Sequence, residues 1–303
     1  MAKQGSRWRL VLGVIAFAAL APPSLVGLPF AALMLASRPK SAAEWGPALA
    51  VGAVSVALLL APAEGMLTAL LRAYVVLVTA AFVAGALVSP TTSSSKSFLR
   101  RALRATLLAG VAVIGLVQAV WGQAAWEALH WEATRQASHV MRLPVEWRPE
   151  VFAIFEPVVR FVSDTVPAML VLQTFAGLAL AWQWHATLAR RPLGQPLGLF
   201  REFRFGDHWV WGVVASLAVW VTPVLAGLKT AALNLAVVLG ALYIVRGLAI
   251  VAALAGALGV STGALLLGAA AATVLAVPLS LLLATLGVTD TWLEWRRRFK
   301  APA

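Results

Sequence analysis

Residues 231–255 read AALNLAVVLGALYIVRGLAIVAALA, 25 residues in which Arg246 is the one charged side chain. A helix of about 20 mostly apolar residues is long enough to cross a hydrocarbon core of about 30 Å. Ala, Leu, Val and Gly fill the stretch without the alternation of a β-strand, which argues against a β-barrel. The stretch therefore predicts a transmembrane helix with a single charge inside it.

Similar stretches recur along the whole chain. Of its 303 residues, 61% are hydrophobic and 12% are charged, and the mean hydropathy is +0.87. A soluble domain needs a more charged exterior. We therefore expect an all-α, polytopic transmembrane helix bundle of about eight membrane helices, within a range of about seven to nine. The predicted spans are residues 9–36, 44–61, 66–89, 98–121, 163–188, 207–228, 231–255 and 262–287.

The basic residues lie mainly between the apolar stretches. The net charge is +12, but this distribution is typical of membrane topology and anionic lipid headgroups rather than of nucleic-acid binding. Loops 90–104 and 189–206 are rich in basic residues, so the positive-inside rule places both in the cytoplasm. The mixed-charge stretch 122–162 then lies outside, where its spacing predicts two amphipathic helices near the membrane surface.

We treat residues 1–303 as a single transmembrane domain with three parts. N-terminal helices occupy 9–121, the extracytoplasmic amphipathic helices 122–162, and C-terminal helices 163–303. Stretch 9–36 is either one crossing or a hairpin that turns at Pro22-Pro23, and we favour the hairpin because it keeps both basic ends inside. Counting spans places the C-terminus outside, whereas its basic residues favour the inside, and the sequence leaves this conflict open.

No motif predicts catalysis. The chain lacks cysteine, which excludes disulfides and thiol chemistry, and it has no Walker A pattern for ATP hydrolysis. Its four histidines show no metal-ligand spacing. We therefore expect a protein that is not an enzyme, with no catalytic residues, no metal site and no cofactor.

Polar side chains inside the apolar stretches are the candidates for binding a ligand. They are Gln118, Gln173, Asn234 and Arg246. Each amide could instead bond to a neighbouring helix, and Arg246 could either be buried or extend toward the membrane surface. Asp164 and Asp290 lie at span ends, where a charge costs little, so they carry no prediction of a site.

The C-terminal third resembles the YybS-like family of bacterial membrane proteins, also called domain of unknown function 2232. The resemblance is carried by Phe200-Arg-Glu-Phe-Arg204, Trp209-Val-Trp211, Leu233-Asn234-Leu235, Leu242-Tyr243, Arg246-Gly247-Leu248-Ala249, Pro278, Leu286-Gly287, Asp290, Trp292 and Arg296. Upstream, Pro149-Glu150 and Val166-Pro167-Ala168 also match. The chain departs from the pattern at Arg246, where members commonly have Gln, and at Gly206-Asp207, where they often have Pro. The basic loop that members tend to carry after span 231–255 is absent.

The resemblance implies a multi-pass protein of the bacterial cytoplasmic (inner) membrane, without an assigned activity. It also implies a distant similarity to the substrate-binding components of energy-coupling-factor transporters, which bind a small molecule near the outer face and borrow ATPases from partners. Two functions follow as expectations. One is a substrate-binding transport component without its own ATPase, and the other is a non-enzymatic scaffold or assembly factor for envelope proteins. The expected partners are the lipid bilayer, other membrane proteins or a transporter ATPase module, and a small-molecule ligand.

Overall fold

The structure, a computed structural model, describes residues 23–63, 65–88, 95–147, 152–260 and 276–295. Every regular element in these ranges is a helix, which confirms the all-α class. Five described helices are long and apolar enough to cross a membrane, namely Ala42–Leu60, Met66–Val88, Ser97–Trp121, Val166–Leu188 and Pro223–Ala257. They match five of the predicted spans. The total of about eight stays a prediction.

The chain divides into two compact units, Met1–Leu197 and Gly198–Ala303. The first contains α1 (Pro23–Ala36), α2 (Ala42–Leu60), α3 (Met66–Val88), α4 (Ser95–Trp121), α5 (Ala124–Trp147), α6 (Phe152–Asp164) and α7 (Val166–Leu188). Its core includes Phe82, Phe98 and Trp182, whose rings meet edge to face or tilted. These aromatic rings join α3, α4 and α7. The prediction of one transmembrane domain remains a prediction.

Two glutamates, one at each end of the helix bundle in the first unit, bind the backbone of another helix or of the residue just after it. Glu44 in the first turn of α2 accepts a hydrogen bond from the backbone N–H of Arg190, just after α7, with its Oε1 at 2.7 Å. Glu132 of α5 accepts one from the N–H of Leu67, in the first turn of α3, at 3.0 Å. The start of α2 therefore lies at the same end as residue 190, and the α2–α3 turn lies beside α5.

The α2–α3 turn is tightly held. The Arg72 guanidinium donates hydrogen bonds to the carbonyl oxygens of Leu59, Ala61 and Pro62, which satisfies acceptors at the end of α2. Gly65 adopts a φ of +119°, and a Cβ there would overlap the Glu132 carboxylate. This position therefore requires glycine.

The stretch 122–162 contains two helices, α5 and α6. Pro144 does not end the first of them, which continues to Trp147. A membrane-surface location outside the cell stays a prediction for both helices.

The second unit contains α8 (Val210–Val221), α9 (Lys229–Ala257) and α10 (Ala276–Leu293), with short 3₁₀ turns at Phe200–Glu202, Asp207–Trp209 and Pro223–Leu228. The expected uninterrupted span 207–228 is not observed. Thr222 takes an extended conformation (φ −90°, ψ 110°) between α8 and the 3₁₀ turn at Pro223–Leu228. The following Pro223 disfavours helix at Thr222, so α8 has 12 residues and a length of about 18 Å.

α9 and α10 run antiparallel and pack backbone to backbone. A Cβ on Gly247 would overlap the Leu283 carbonyl, and a Cβ on Gly287 would overlap the Tyr243 carbonyl. Small residues permit this approach. The close packing fixes which side chains of the two helices meet.

Two predictions lie wholly or largely on residues outside the described ranges. Of the proposed hairpin around Pro22-Pro23, only Pro23 and the residues after it, which form α1, are described, and the basic C-terminal residues follow Trp295. The first half of span 262–287 also falls there, whereas α10 continues six residues past the predicted end.

Candidate functional site

A cluster of charged residues in the second unit centres on Arg246. This side chain is 1% exposed. Its Nε donates to Oδ2 of Asp290 at 3.0 Å, and its Nη1 donates to Oδ1 of Asp207 at 2.8 Å. One guanidinium therefore joins α9, α10 and the turn that precedes α8. Of the two alternatives for Arg246, the structure has the buried one.

The cluster extends from the interior to the surface. The Asp290 side chain is 0% exposed, whereas the Asp207 side chain is 61% exposed. Arg204 lies between these extremes at 34%, with Nη2 3.8 Å from Oδ2 of Asp290. We call Arg204, Asp207, Arg246 and Asp290 the charge cluster. Its two cations and two anions balance, so the cluster as a whole is neutral.

Aromatic rings form one wall of the charge cluster. The Arg246 guanidinium carbon lies 5.6 Å from the centroid of the Phe205 ring, within cation–π range. The Phe205 ring in turn meets the Tyr243 ring edge-on at 4.9 Å. Phe205 and Tyr243 are both buried, so they shield the Arg246–Asp290 pair from solvent and strengthen its electrostatic interaction.

Three buried polar atoms at the charge cluster lack hydrogen-bond partners. They are Oδ1 of Asp290, Oη of Tyr243 and Oγ1 of Thr291. The hydroxyls of Tyr243 and Thr291 are neighbours, but no hydrogen bond of good geometry joins them. Leaving such a group unsatisfied costs about 1–3 kcal/mol, and native proteins usually satisfy it with water or a ligand. The cluster therefore retains unused capacity to donate and accept.

The four residues predicted to bind a ligand do not share one set of contacts. Oε1 of Gln118 accepts a hydrogen bond from Nε1 of Trp126 at 3.0 Å. Gln173 is partly buried on α7. Nδ2 of Asn234 donates to the Thr230 carbonyl, one turn earlier in its own helix. Asn234 and Arg246 are 12 residues apart on α9, a distance of about 18 Å along the axis. Their joint role in one site stays a prediction.

Sequence reasoning missed Asp207 and Asp290 as partners of Arg246. A buried guanidinium needs an anion, and the segment after residue 200 offers four acidic side chains, Glu202, Asp207, Asp290 and Glu294. That short set was an available signal. The pairing itself depends on the register between α9 and α10, which hydropathy does not reveal.

A second buried polar group lies in the first unit. His185 of α7 is 0% exposed, and neither of its ring nitrogens has a hydrogen-bond partner. Its ring lies 5.9 Å from that of Trp182, which also contacts the Arg101 guanidinium at 5.1 Å. No group of three or more His, Asp or Glu side chains in the described ranges is placed to hold a metal ion. His185 is therefore an isolated imidazole in an apolar setting.

Comparison with known proteins gives one positive result. A family model described as "Predicted membrane protein (DUF2232)" matches residues 10–291. No curated protein and no solved structure matches the chain. The match spans nearly the whole length, including the charge cluster and the five helices able to cross a membrane. The chain therefore belongs to the DUF2232 family of predicted membrane proteins.

Proposed function

We propose that the protein is a transport-related membrane component that binds a small molecule and has no ATPase of its own. The observation that supports this role is the charge cluster, where buried Arg246 connects to solvent through Asp207. Charged side chains among transmembrane helices are costly, and they usually mark a ligand or ion pathway. Unpartnered polar atoms next to Arg246 add the specific contacts that a binding site needs.

The proposed site faces the cytoplasm. Arg204 lies in the basic stretch 189–206 and Asp207 directly follows it, and the positive-inside rule assigns this stretch to that side. This differs from the outer-face site implied by similarity to energy-coupling-factor components. We also propose a bacterial cytoplasmic membrane location and YybS-like membership, both from the sequence resemblance.

No catalytic step belongs to this proposal. The carboxylates of Asp207 and Asp290 are held in ion pairs with Arg246, which supports a role in recognition.

A scaffold or assembly role is the second candidate. The observation in its favour is α5, which exposes Trp131 (70%) and Trp126 (39%) on a helix outside the five membrane-capable ones. Exposed tryptophans are enriched where proteins meet partners, but also where they meet the membrane interface.

The test is recovery of partners from the native host. Tagged full-length protein is extracted in mild detergent, and the co-purified proteins are identified by mass spectrometry. Recovery of a transporter ATPase pair with its transmembrane coupling subunit supports the transport role. Recovery of envelope or division proteins alone overturns it in favour of the scaffold, and recovery of no specific partner overturns both.

A further inference from the structure

We propose that the Asp207 carboxylate occupies the position on Arg246 where the carboxylate of a ligand binds. The ligand class is a small monoanionic carboxylate that also carries an O–H or N–H donor, such as a 2-hydroxy acid. Its carboxylate displaces Asp207 from Arg246, and its donor binds the free oxygen of Asp290. This inference rests on the proposed binding function and specifies the chemistry of that same site.

The two carboxylates bound to Arg246 differ in a way that makes one exchangeable. Asp290 is fixed in the last turns of α10 and has no solvent exposure. Asp207 begins a three-residue 3₁₀ turn, follows Gly206 and has 61% of its side chain exposed. Moving Asp207 into water exposes a group already mostly hydrated, whereas moving Asp290 would unpack α10. Exchange therefore occurs at Asp207.

The charges left behind by Asp207 define the ligand's charge. Arg246, Arg204 and Asp290 remain, and together they carry one net positive charge. A monoanionic carboxylate restores neutrality and recreates the hydrogen bond to Nη1 of Arg246. Guanidinium groups recognise carboxylates through their planar donors. A dianion would instead leave an uncompensated charge against buried Asp290.

The unpartnered oxygen of Asp290 defines the second contact. Oδ1 is buried without a donor, while Oδ2 of the same carboxylate binds Nε of Arg246. Oδ1 of Asp290 is therefore close enough to Nη1 of Arg246 for one small molecule to contact both atoms. An O–H or N–H on the carbon next to the ligand's carboxylate supplies the missing donor, whereas acetate offers none.

Tethering makes Asp207 a competitor of the ligand. A side chain held on a short turn has an effective concentration in the millimolar range or above. Wild-type protein should therefore bind simple carboxylates weakly, and removal of Asp207 should strengthen binding at least tenfold.

The experiment measures carboxylate binding by full-length Asp207→Ala protein in detergent micelles. Tryptophan-detected melting is followed while acetate, glycolate, chloride or sulfate is added at constant ionic strength. Glu202→Ala is the matched control, because Glu202 is an exposed acidic residue in the same loop. We expect half-maximal stabilisation by glycolate at a concentration at least tenfold lower in Asp207→Ala than in wild type. Glycolate should act more strongly than acetate, and sulfate should have no specific effect.

Two outcomes would overturn the inference. One is an equal response of Asp207→Ala and Glu202→Ala, and the other is an equal effect of chloride and glycolate, which would mean an adventitious ion only. If Asp207→Ala does not purify as a single species, Asp207→Asn is measured in its place, since it keeps the side-chain volume and one acceptor. The recovery of partners from the native host tests the transport role separately. If a transporter module is recovered but no carboxylate binds, the transport role stands and this inference fails. If a carboxylate binds but no transporter module is recovered, the binding site stands and the transport role fails.

Discussion

Arg246 and Asp290 form an ion pair in which neither side chain reaches solvent, with Nε 3.0 Å from Oδ2. Taking both charges out of water is costly, and mutual attraction offsets that cost only when geometry is good. Gly247 and Gly287 provide the geometry, because they bring the backbones of α9 and α10 close together beside the pair. The ion pair and the glycine packing are therefore parts of one arrangement.

The pair should behave as a coupled unit when it is mutated. Arg246→Met leaves Asp290 as a buried carboxylate without its main partner, which we expect to destabilise the protein by about 3–5 kcal/mol. Asp290→Leu removes the buried one of the two carboxylates that bind Arg246 and leaves only Asp207, so it should also destabilise the protein. The double variant should cost much less than the sum, because the charges that remain, on Arg204 and Asp207, are partly or largely exposed to solvent. Thermal and denaturant unfolding in detergent measure this double-mutant cycle, and strict additivity would contradict the coupling.

The close approach of α9 and α10 should be sensitive to a single methyl group. Gly287→Ala would place a Cβ against the Tyr243 carbonyl, so the helices must separate and the melting temperature should fall by several degrees. Gly240→Ala is the control on α9, because nothing lies within 4 Å of its Cβ position. There the higher helix propensity of alanine should stabilise by up to about 1 kcal/mol. Similar losses at both positions would show that the packing is not the cause.

Hydropathy could predict the long helices but not the interruption near residue 222. The five membrane-capable helices have uniform apolar composition, so length and composition define them. Span 207–228 has that composition too, yet it breaks at Thr222-Pro223, where backbone chemistry overrides hydropathy. The signal was present in the sequence as a proline between apolar residues.

The candidate site was predictable only in part. Arg246 could be identified because it is a lone charge in an apolar stretch. Asp207 and Asp290 belong to the four acidic side chains after residue 200, but their pairing with Arg246 could not be predicted, since each lies at a span end where a charge is ordinary. Arg246 and Gly206-Asp207 are also two of the three places where the chain differs from the pattern it resembles, and the structure joins Arg246 to Asp207. That pairing depends on which residues of neighbouring helices are in contact, and hydropathy does not reveal such contacts.

Labelling can test which residues of the first unit lie on the same side of the membrane. The contact of Glu44 with Arg190, and that of Glu132 with Leu67, predict that Lys40 and Arg191 face one side of the membrane and Ala63 and Glu127 the other. The natural sequence has no cysteine, so single substitutions to cysteine need no background removal. In intact cells, an impermeant maleimide should label Ala63→Cys and Glu127→Cys. Lys40→Cys and Arg191→Cys should react only after permeabilisation. Labelling of Lys40→Cys and Ala63→Cys from the same side would contradict the arrangement.

The unpartnered imidazole of His185 predicts a gain of stability on its removal. A neutral imidazole carries one donor and one acceptor, and both are buried without partners between Trp182 and the apolar residues around it. His185→Leu should therefore be neutral or stabilising by about 1–3 kcal/mol, because an apolar side chain has no polar atom to satisfy. His139→Leu, at an exposed position, is the control and should change stability little. A clear loss of stability in His185→Leu alone would mean that the imidazole is satisfied in the membrane by a bound water or ligand.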